Sequence, residues 1–222
     1  MTLALAAVIF DLDGTLIASL EDIADAVNTA LAAHALPTHP LEPYKRFVGD
    51  GMEMLARRAS PRNTPEAVVA SVYARVKEEY GRNWANKTRP YEGVPDMLAR
   101  LAERGVPMAV LSNKPHEFTG EVVRHFFPDA PFAVAQGNPG GGKAKPDPAL
   151  ALSIAGKFSL APSRIGFMGD SSTDMDTAVN AGMPPIGALW GFRPESELRE
   201  HGARVLLAHP SELFEKTAPA AP

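Results

Sequence analysis

Polar side chains that could take part in chemistry collect where the sequence predicts the ends of buried strands. Asp11 and Asp13 follow the apolar run at residues 4–10, and in extended backbone this spacing lets both carboxylates face the same way. The full set comprises four carboxylates, a hydroxyl and a lysine: Asp11, Asp13, Ser112, Lys145, Asp170 and Asp174. Carboxylates this close repel one another unless a cation or shared protons offset their charge, and Mg²⁺ is the simplest such cation for oxygen ligands.

Each of these groups alone also has a purely structural interpretation. Asp-Gly is a common turn, Asp174 could cap a helix, and Ser112 could be a strand-end hydroxyl without a role. The joint pattern favours a reactive site, because all of the groups fall at the sheet edge on the same predicted face.

The segment GNPGGGKAKPDP, residues 137–148, allows two interpretations of its lysines. Its beginning approaches the phosphate-binding loop of nucleotide-binding ATPases, but that loop needs Ser or Thr after the lysine and a helix directly behind it. Here Ala144 follows Lys143, and Pro146 opposes an immediate helix. The sequence therefore disfavours an ATPase and predicts a solvated loop position for Lys143, whereas Lys145, in Lys-Pro-Asp-Pro, could serve a different phosphate site.

The elements that must position these groups alternate between strand and helix over much of the chain. Apolar runs predict strands at residues 4–10, 107–113, 132–135, 165–169, 185–189 and 203–207. From about residue 16 to residue 90 no convincing strand appears, and helical segments are predicted from about residue 20, at 43–59 and at 65–86. This order is typical of an α/β fold with a doubly wound, Rossmann-like parallel sheet, which binds ligands outside the carboxyl ends of its strands.

The same order predicts a division of the chain into two units. Residues 1–15 and 91–222 would form the α/β core, and residues 16–90 would form a helical cap domain inserted after the first strand. A helical lid over the strand ends would exclude bulk water and contribute to recognition of the leaving group.

Composition excludes several classes of function. The 222 residues are 45% hydrophobic and 22% charged, which is an ordinary balance for a globular protein. There are no cysteines, so disulfides, thiolate catalysis and cysteine-bound metals are excluded. A net charge of −4 does not indicate the basic surface that nucleic-acid binding requires. No apolar run approaches the length of a membrane span. We expect a cytoplasmic protein with neither a nucleic acid nor a membrane as its partner.

The motifs in combination resemble the haloacid dehalogenase-like superfamily of phosphatases. They are DLDGTL (11–16), LSNKP (111–115), Lys145-Pro146 and GDSSTD (169–174), and their order and spacing match across nearly the whole chain. The helical insertion after the first motif matches the helical cap of that family. Within the family, VGDGMEMLARRA (48–59) and ALWGFRPESEL (188–198) are most similar to phosphoglycolate phosphatases, which implies a small phosphorylated metabolite, 2-phosphoglycolate, as substrate of a monomer or homodimer.

The resemblance implies that two aspartates carry the reaction. Asp11 would attack phosphorus to form an aspartyl-phosphate, since a carboxylate is already ionised at neutral pH. Asp13 would protonate the leaving oxygen and then activate the water that cleaves the aspartyl ester. Members of the family that act on carbon–halogen bonds lack the second aspartate, so its presence implies phosphoryl transfer.

The resemblance also implies how metal and phosphate are bound. Mg²⁺ would be held by Asp11, the backbone carbonyl of Asp13, Asp170 and, from just behind these ligands, Asp174. The phosphoryl oxygens would be bound by the Ser112 hydroxyl, the backbone near Asn113 and the Lys145 ammonium.

A substrate with a second negative charge should meet a cation from the cap. Lys45 and Arg46 precede Phe47-Val48-Gly49-Asp50-Gly51 and are the candidates, although the wet face of an exposed amphipathic helix explains either charge better.

Several alternatives stay open at this point. A sugar-phosphate mutase uses the same core, although mutases resembling this chain carry a histidine early in the first cap helix and residues 17–33 include none. Other phosphatases of the family act on nucleotides or pyrophosphate, and phosphonate hydrolases need a cap lysine, for which Lys45 is available. A non-enzymatic phospho-ligand binding protein is disfavoured, because Asp11 and Asp13 are both present.

Overall fold

The structure, a computed structural model, describes residues 3–140 and 144–219 as a succession of strands and helices. The first part of the chain contains β1 (Leu3–Leu5), β2 (Ala7–Phe10), β3 (Ile17–Ala18), α1 (Leu20–Ala33), α2 (Leu41–Phe47), α3 (Met52–Ala59), α4 (Glu66–Asn83) and β4 (Arg89–Pro90). The remainder contains α5 (Val94–Glu103), β5 (Met108–Pro115), α6 (His116–Phe126), β6 (Phe132–Asn138), α7 (Ala149–Phe158), β7 (Ile165–Gly169), α8 (Ser172–Asn180), β8 (Pro185–Ala188), α9 (Glu195–Glu200), β9 (Val205–Leu207), α10 (Leu213–Lys216) and β10 (Thr217–Pro219).

Six of the described strands form a parallel sheet in the order β6-β5-β2-β7-β8-β9. β2 lies inside this sheet, where Val8 is level with Met108 of β5 and Gly166 of β7. Every residue of β2 is buried, which explains why this strand is apolar on both faces. The chain builds outward from β2 through β5 and β6 and then, on the other side, through β7, β8 and β9. The predicted α/β fold with a doubly wound parallel sheet is therefore confirmed.

Helices cover both faces of this sheet. Successive residues of a strand point to opposite sides, so Val8 and Phe10 pack with the apolar residues of α5 and α6, whereas Ile9 packs with those of α7 and α8. Complete burial of one such side chain contributes about 2 kcal/mol. The two apolar layers hold β2 rigidly, and they thereby fix the position of the residues that follow it.

The helical stretch predicted at residues 43–59 is interrupted in the structure. α2 ends at Phe47, and α3 begins at Met52. Between them Gly49 and Gly51 adopt φ angles of 134° and 88°, which residues with a side chain rarely adopt. This turn was not predicted, because the residues on both sides of it follow helical periodicity. The turn, residues 48–51, lies against the carboxyl edge of the sheet and is called the cap loop below.

The four helices between β3 and β4, all within described residues, pack around an apolar cluster of their own. Its fully buried members include Leu31, Tyr44 and Val72. β3 pairs antiparallel with β4, with Ile17 opposite Pro90 and Ala18 opposite Arg89, so the chain enters and leaves this helical unit side by side. These two-residue strands were not predicted, because they are too short to show a periodicity. The cap boundaries at residues 16 and 90 stay a prediction.

None of the helices in the described part of the chain has the length and apolar character that a membrane span requires.

Candidate active site

Three of the four predicted aspartates meet at the carboxyl edge of the central sheet. Asp11 follows β2, Asp170 follows β7, and Asp174 lies in the first turn of α8. One carboxylate oxygen from each lies within 4.8 Å of the others, and all three residues are buried. The carboxyl ends of neighbouring parallel strands lie at the same edge, which is why residues so distant in sequence converge.

Crowding and burial change the proton affinity of this cluster. Burial, and next to it the negative charge of Asp174, raises the pKa of Asp11 to about 7. The pKa of Asp170 is also raised well above its ordinary value, first by burial and then by the charges of Asp174 and Asp11. Buried oxygen ligands that resist ionisation on their own are stabilised as anions by a bound cation. The donor set therefore fits a hard divalent ion such as Mg²⁺.

Chelator-treated protein is expected to gain more thermal stability from Mg²⁺ at about pH 8 than at about pH 5. The folded-state pKa of Asp11, about 7, lies above its ordinary value of 3.8, so the folded protein binds this proton more tightly than the unfolded chain does. The stability of the metal-free protein therefore falls as pH rises from about 4 to about 7. Mg²⁺ binds the ionised carboxylates, and at about 100 times its dissociation constant it would add about 2.7 kcal/mol.

The measurement is the melting temperature, with and without Mg²⁺, of the parent chain, of Asp170→Asn and of a control, Asp25→Asn. The Asp25 carboxylate is exposed on α1, so the control makes the same chemical change away from the cluster. Parent and control should show the pH-dependent gain, and Asp170→Asn should show little. An equal gain at both pH values, or a gain that persists in Asp170→Asn, would contradict a cation site at these aspartates.

Asp170 is fixed in its position by close backbone contacts. Its Oδ2 accepts the backbone N–H of Phe192 at 2.7 Å, and its Oδ1 accepts the Thr15 hydroxyl at 3.2 Å. Gly14 has a φ of 91°, and a Cβ at that position would lie 2.4 Å from Asp170 Oδ2. The glycine of the DLDGTL motif is thus required both by the turn and by the carboxylate that packs against it.

Asp174 is engaged at both of its oxygens. Its Oδ1 accepts from Lys145, and its Oδ2 accepts the backbone N–H of Ser171 at 3.1 Å and the Ser171 hydroxyl at 2.6 Å. This is a capping box at the start of α8, so the helix-capping interpretation of Asp174 holds together with its membership of the cluster.

Lys145 lies between two carboxylates of the cluster. Its Nζ donates to Asp11 Oδ1 and to Asp174 Oδ1, each at 2.6 Å, and its side chain is only 3% exposed. Burial alone would lower the pKa of the ammonium, but the charges of Asp11 and Asp174 outweigh it and raise the pKa. Asn113 holds the lysine backbone, since its Oδ1 accepts the Lys145 N–H at 2.8 Å and its Nδ2 donates to the Lys145 carbonyl at 3.0 Å. The other loop lysine, Lys143, lies outside the described residues.

Asp13 lies apart from the other aspartates and has different partners. Its Oδ1 accepts from Lys114 Nζ at 2.6 Å and from the Ser19 hydroxyl at 2.5 Å. Lys114 Nζ also donates to the hydroxyl of Tyr80, a residue of α4. Burial alone would lower the pKa of Lys114, but the charge of Asp13 and the hydrogen bonds to Asp13 and Tyr80 raise it. Burial raises the pKa of Tyr80 to about 12, so its hydroxyl is neutral. The carboxylate of Asp13 is thus held by Lys114 of the core and by Ser19, which lies directly before α1, and Lys114 in turn contacts α4.

Neither Lys114 nor Tyr80 was predicted from the sequence to belong to the site. Lys114 is part of the motif LSNKP, and a lysine at the end of an apolar strand is the one signal that could have identified it. Tyr80 gave no such signal, because an aromatic residue at helical spacing is typical of any packed helix.

A small cavity lies between the sheet edge and the helical unit. Its free volume is about 50 Å³, which is room for only a few water molecules. The core contributes reactive groups to its lining, among them Asp11, Asp13, Ser112, Lys145 and Asp170. Within the described residues, the helical unit contributes only apolar residues and glycines: Ile23, Val48, Gly49, Gly51, Met52 and Leu55.

The two cations predicted from the cap are not at this cavity. Lys45 pairs with Glu42 at 2.9 Å and is 40% exposed, and Arg46 is also exposed on α2. The break after Phe47 separates this turn of helix from the cap loop, which is the part that reaches the cavity. The additional cations that line the cavity come instead from the core and are Lys114 and Arg193. Sequence analysis assigned no role to Arg193, although it lies in the segment ALWGFRPESEL.

Comparisons with known proteins give a consistent result. Residues 8–188 match the family model of the haloacid dehalogenase-like hydrolases. A phosphoglycolate phosphatase from Mannheimia succiniciproducens is 34% identical over 216 residues, which are 94% of this chain and 93% of that protein. An N-acetylmuramic acid 6-phosphate phosphatase from Pseudomonas aeruginosa is 28% identical over 212 residues, which are 95% of this chain and 94% of that protein.

A solved structure shows the same architecture. It is a crystal structure from Lactobacillus delbrueckii subsp. bulgaricus, of a protein with the provisional name phosphoglycolate phosphatase. The TM-score is 0.90 at 29% sequence identity, and the match covers 97% of this chain and 98% of that one. The similarity therefore extends over the α/β sheet and the inserted helices alike.

Proposed function

The chain belongs to the haloacid dehalogenase-like hydrolases, as its motifs predicted, and we propose that this phosphomonoester hydrolase acts on 2-phosphoglycolate through a phosphorylated Asp11. The observation that carries the proposal is the different surroundings of two aspartates on one cavity. Asp11 belongs to the cluster with Asp170 and Asp174, whereas Asp13 lies outside it and is hydrogen-bonded to Lys114 and Ser19. One carboxylate is therefore suited to attack and the other to move protons.

In the first step, Asp11 attacks phosphorus. An Asp11 oxygen forms a bond to phosphorus while the bond to the leaving oxygen breaks. Asp13, which takes up a proton from solvent when the substrate binds, gives that proton to the leaving oxygen, so that glycolate leaves as the alcohol. The nucleophile is held in line by the rigid end of β2, which is buried on both faces.

In the second step, the aspartyl-phosphate is hydrolysed. Asp13, now ionised, takes a proton from water, whose oxygen attacks phosphorus and displaces the Asp11 carboxylate. Inorganic phosphate leaves, and both aspartates return to their initial states. Ser19 and Lys114 keep the Asp13 carboxylate in one orientation for both proton transfers, because each donates to the same oxygen.

The phosphoryl group needs positive charge and hydrogen-bond donors around it. Mg²⁺ held by Asp11, Asp170 and the backbone of Asp13 would offset the repulsion between the attacking carboxylate and the phosphate dianion. Lys145 and the Ser112 hydroxyl bind the phosphoryl oxygens. Asp174 would orient Lys145 and the metal ligands without binding the phosphoryl group, because its oxygens are already engaged by Lys145 and Ser171.

The lining of the cavity supports a small leaving group. Within the described residues, the helical unit closes one side of it with apolar residues and glycines, which offer no polar side chain to the base or sugar of a nucleoside. A cytoplasmic location and a monomeric or homodimeric state stay predictions.

The experiment that tests the proposal is phosphate release from 2-phosphoglycolate, sugar phosphates, nucleotides and pyrophosphate, with Mg²⁺ and with chelator. We expect metal-dependent release with a kcat/KM for 2-phosphoglycolate at least about tenfold above the rest, equivalent to about 1.4 kcal/mol. Release spread evenly over the panel would keep the mechanism and reject 2-phosphoglycolate. If none of these compounds releases phosphate, a sugar-phosphate mutase is favoured. Its activity would then be detected as the conversion of a sugar phosphate into an isomer.

A further inference from the structure

Arg193 differs from the other cations of the cavity in the state of its donors. Among the described residues, three cationic side chains line the cavity: Lys114, Lys145 and Arg193. Arg193 Nε pairs with Glu197 at 3.2 Å, and its Nη2 donates to the carbonyl of Val48 in the cap loop at 2.9 Å. Its Nη1 is buried and has no hydrogen-bond partner in the part of the chain that the structure describes.

A buried guanidinium N–H without a partner is unfavourable, because it has lost its hydration and gained nothing in return. The Arg193 side chain is only 12% exposed, so bulk water has little access to it. The planar fork of an arginine matches the two oxygens of a carboxylate better than any other side chain does. An anion that enters the cavity would supply the partner that Nη1 lacks.

The other two cations are committed to the core. Lys145 is shared between Asp11 and Asp174, and Lys114 between Asp13 and Tyr80. Within the described residues, the helical unit offers the cavity no charge at all. Among the described residues that line the cavity, Arg193 is therefore the one cation left for the non-phosphorylated end of a substrate that is anionic at both ends.

Arg193 is also held firmly enough to select a substrate. Glu197 of α9 forms an ion pair with Arg193 Nε at 3.2 Å, and the Oε1 of Glu197 accepts the Ser172 hydroxyl at 2.7 Å. The guanidinium is thus tied to the start of α8 on one side and to the cap loop on the other. Its position depends on the cap loop lying against the core, as it does here.

We infer that Arg193 binds the carboxylate of the leaving group and selects small phosphomonoesters that carry one. The inference rests on the proposed function, because it assigns the specificity residue for that reaction. A residue of the core, and not Lys45 or Arg46 of the cap, would then bind the second negative charge of the substrate.

The test compares two substrates that differ only at the far end. These are 2-phosphoglycolate and 2-hydroxyethyl phosphate, in which a hydroxymethyl group replaces the carboxylate. In Arg193→Met, kcat/KM for 2-phosphoglycolate should fall about 100-fold, mainly through KM, because a contact made before and during the reaction is lost. For 2-hydroxyethyl phosphate the fall should stay below about threefold.

The matched control is Arg199→Met. Arg199 pairs with Glu195 on the same helix, but its side chain is 62% exposed, so neither substrate should be affected. If Arg193 serves only to hold the Val48 carbonyl, both substrates will lose equally in Arg193→Met, and the inference is overturned. A wild-type preference for 2-phosphoglycolate that survives in Arg193→Met would also overturn it while leaving the proposed function intact.

Two further outcomes keep the inference and the proposed function apart. A parent enzyme without any preference for 2-phosphoglycolate over 2-hydroxyethyl phosphate would reject the proposed substrate, and with it the inference, before any variant is made. If Arg193→Met does not fold, Arg193→Lys retains the charge and should lower kcat/KM about tenfold for 2-phosphoglycolate alone. An equal fall for both substrates in that variant would overturn the role of Arg193.

Discussion

The Asp11→Asn variant is expected to release phosphate at least about 10⁴-fold more slowly than the parent chain while keeping its fold. Asp11 is proposed to form the bond to phosphorus, and a carboxamide is a very poor nucleophile at neutral pH. Asparagine has nearly the volume of aspartate, so the packing around the buried end of β2 should not change.

The same substitution should not destabilise the metal-free protein. Burial and the charge of Asp174 raise the Asp11 pKa, which means that the folded state disfavours the ionised carboxylate. A neutral amide removes this cost above about pH 7, and Lys145 keeps Asp174 as a partner. The melting temperature in chelator at about pH 8 should therefore equal or exceed that of the parent.

Phosphate release and melting temperature are measured together, with Asp25→Asn as the control for the chemical change at an exposed aspartate. A folded Asp11→Asn with undiminished release would remove Asp11 as the nucleophile. A variant that fails to fold would contradict the argument from the raised pKa.

The Asp13→Asn variant should lose activity to an extent that depends on the leaving group. For 2-phosphoglycolate, whose leaving alkoxide needs a proton, the fall in kcat should be on the order of 10³-fold. For p-nitrophenyl phosphate the first step should be affected much less, because nitrophenolate leaves without protonation. Hydrolysis of the aspartyl-phosphate should still be slow, because no carboxylate activates the water.

Rapid mixing with p-nitrophenyl phosphate separates these steps. Asp13→Asn should release a burst of about one nitrophenolate per active site, followed by slow turnover. Equal losses for both esters, without a burst, would argue against an acid–base role for Asp13.

A double substitution controls for the loss of the buried ion pair. Asp13→Asn leaves the Lys114 ammonium buried without its anion, which typically costs about 3–5 kcal/mol of stability. Asp13→Asn combined with Lys114→Met should recover much of that stability, because both charges are then removed. Activity on 2-phosphoglycolate should not return with it, and its return would show that Asp13 serves stability alone.

The candidate site at the edge of the sheet could be predicted because its residues follow strands. Asp11 comes directly after an apolar run, Asp170 ends another, and the topology of a parallel sheet then brings them together. The apolar runs that mark the strands and the order of the motifs were sufficient, without any knowledge of contacts between distant segments.

The contacts of the cap with the core were beyond the reach of such patterns. Lys114 meets Tyr80, and Arg193 meets Val48, only because the helical unit adopts one orientation over the sheet. Lys45 was a candidate because a cation of the cap was expected to meet the substrate and Lys45 lies just before Gly49. The helical pattern of 43–59 did not show that a break after Phe47 separates the two. Periodicity describes the faces of an element and does not report how two packed units are turned relative to each other.

The short pairing of β3 with β4 has a consequence for how such a chain can change over evolutionary time. Ile17 and Ala18 lie beside Pro90 and Arg89. The helical insertion therefore connects two neighbouring antiparallel strands, as a loop connects the two strands of a hairpin. The entropy of closing a loop grows only slowly with its length, so residues can be added or removed between these strands at little thermodynamic cost. The insertion also has its own apolar cluster, so it can be exchanged as a module while the reactive groups of the sheet stay in register.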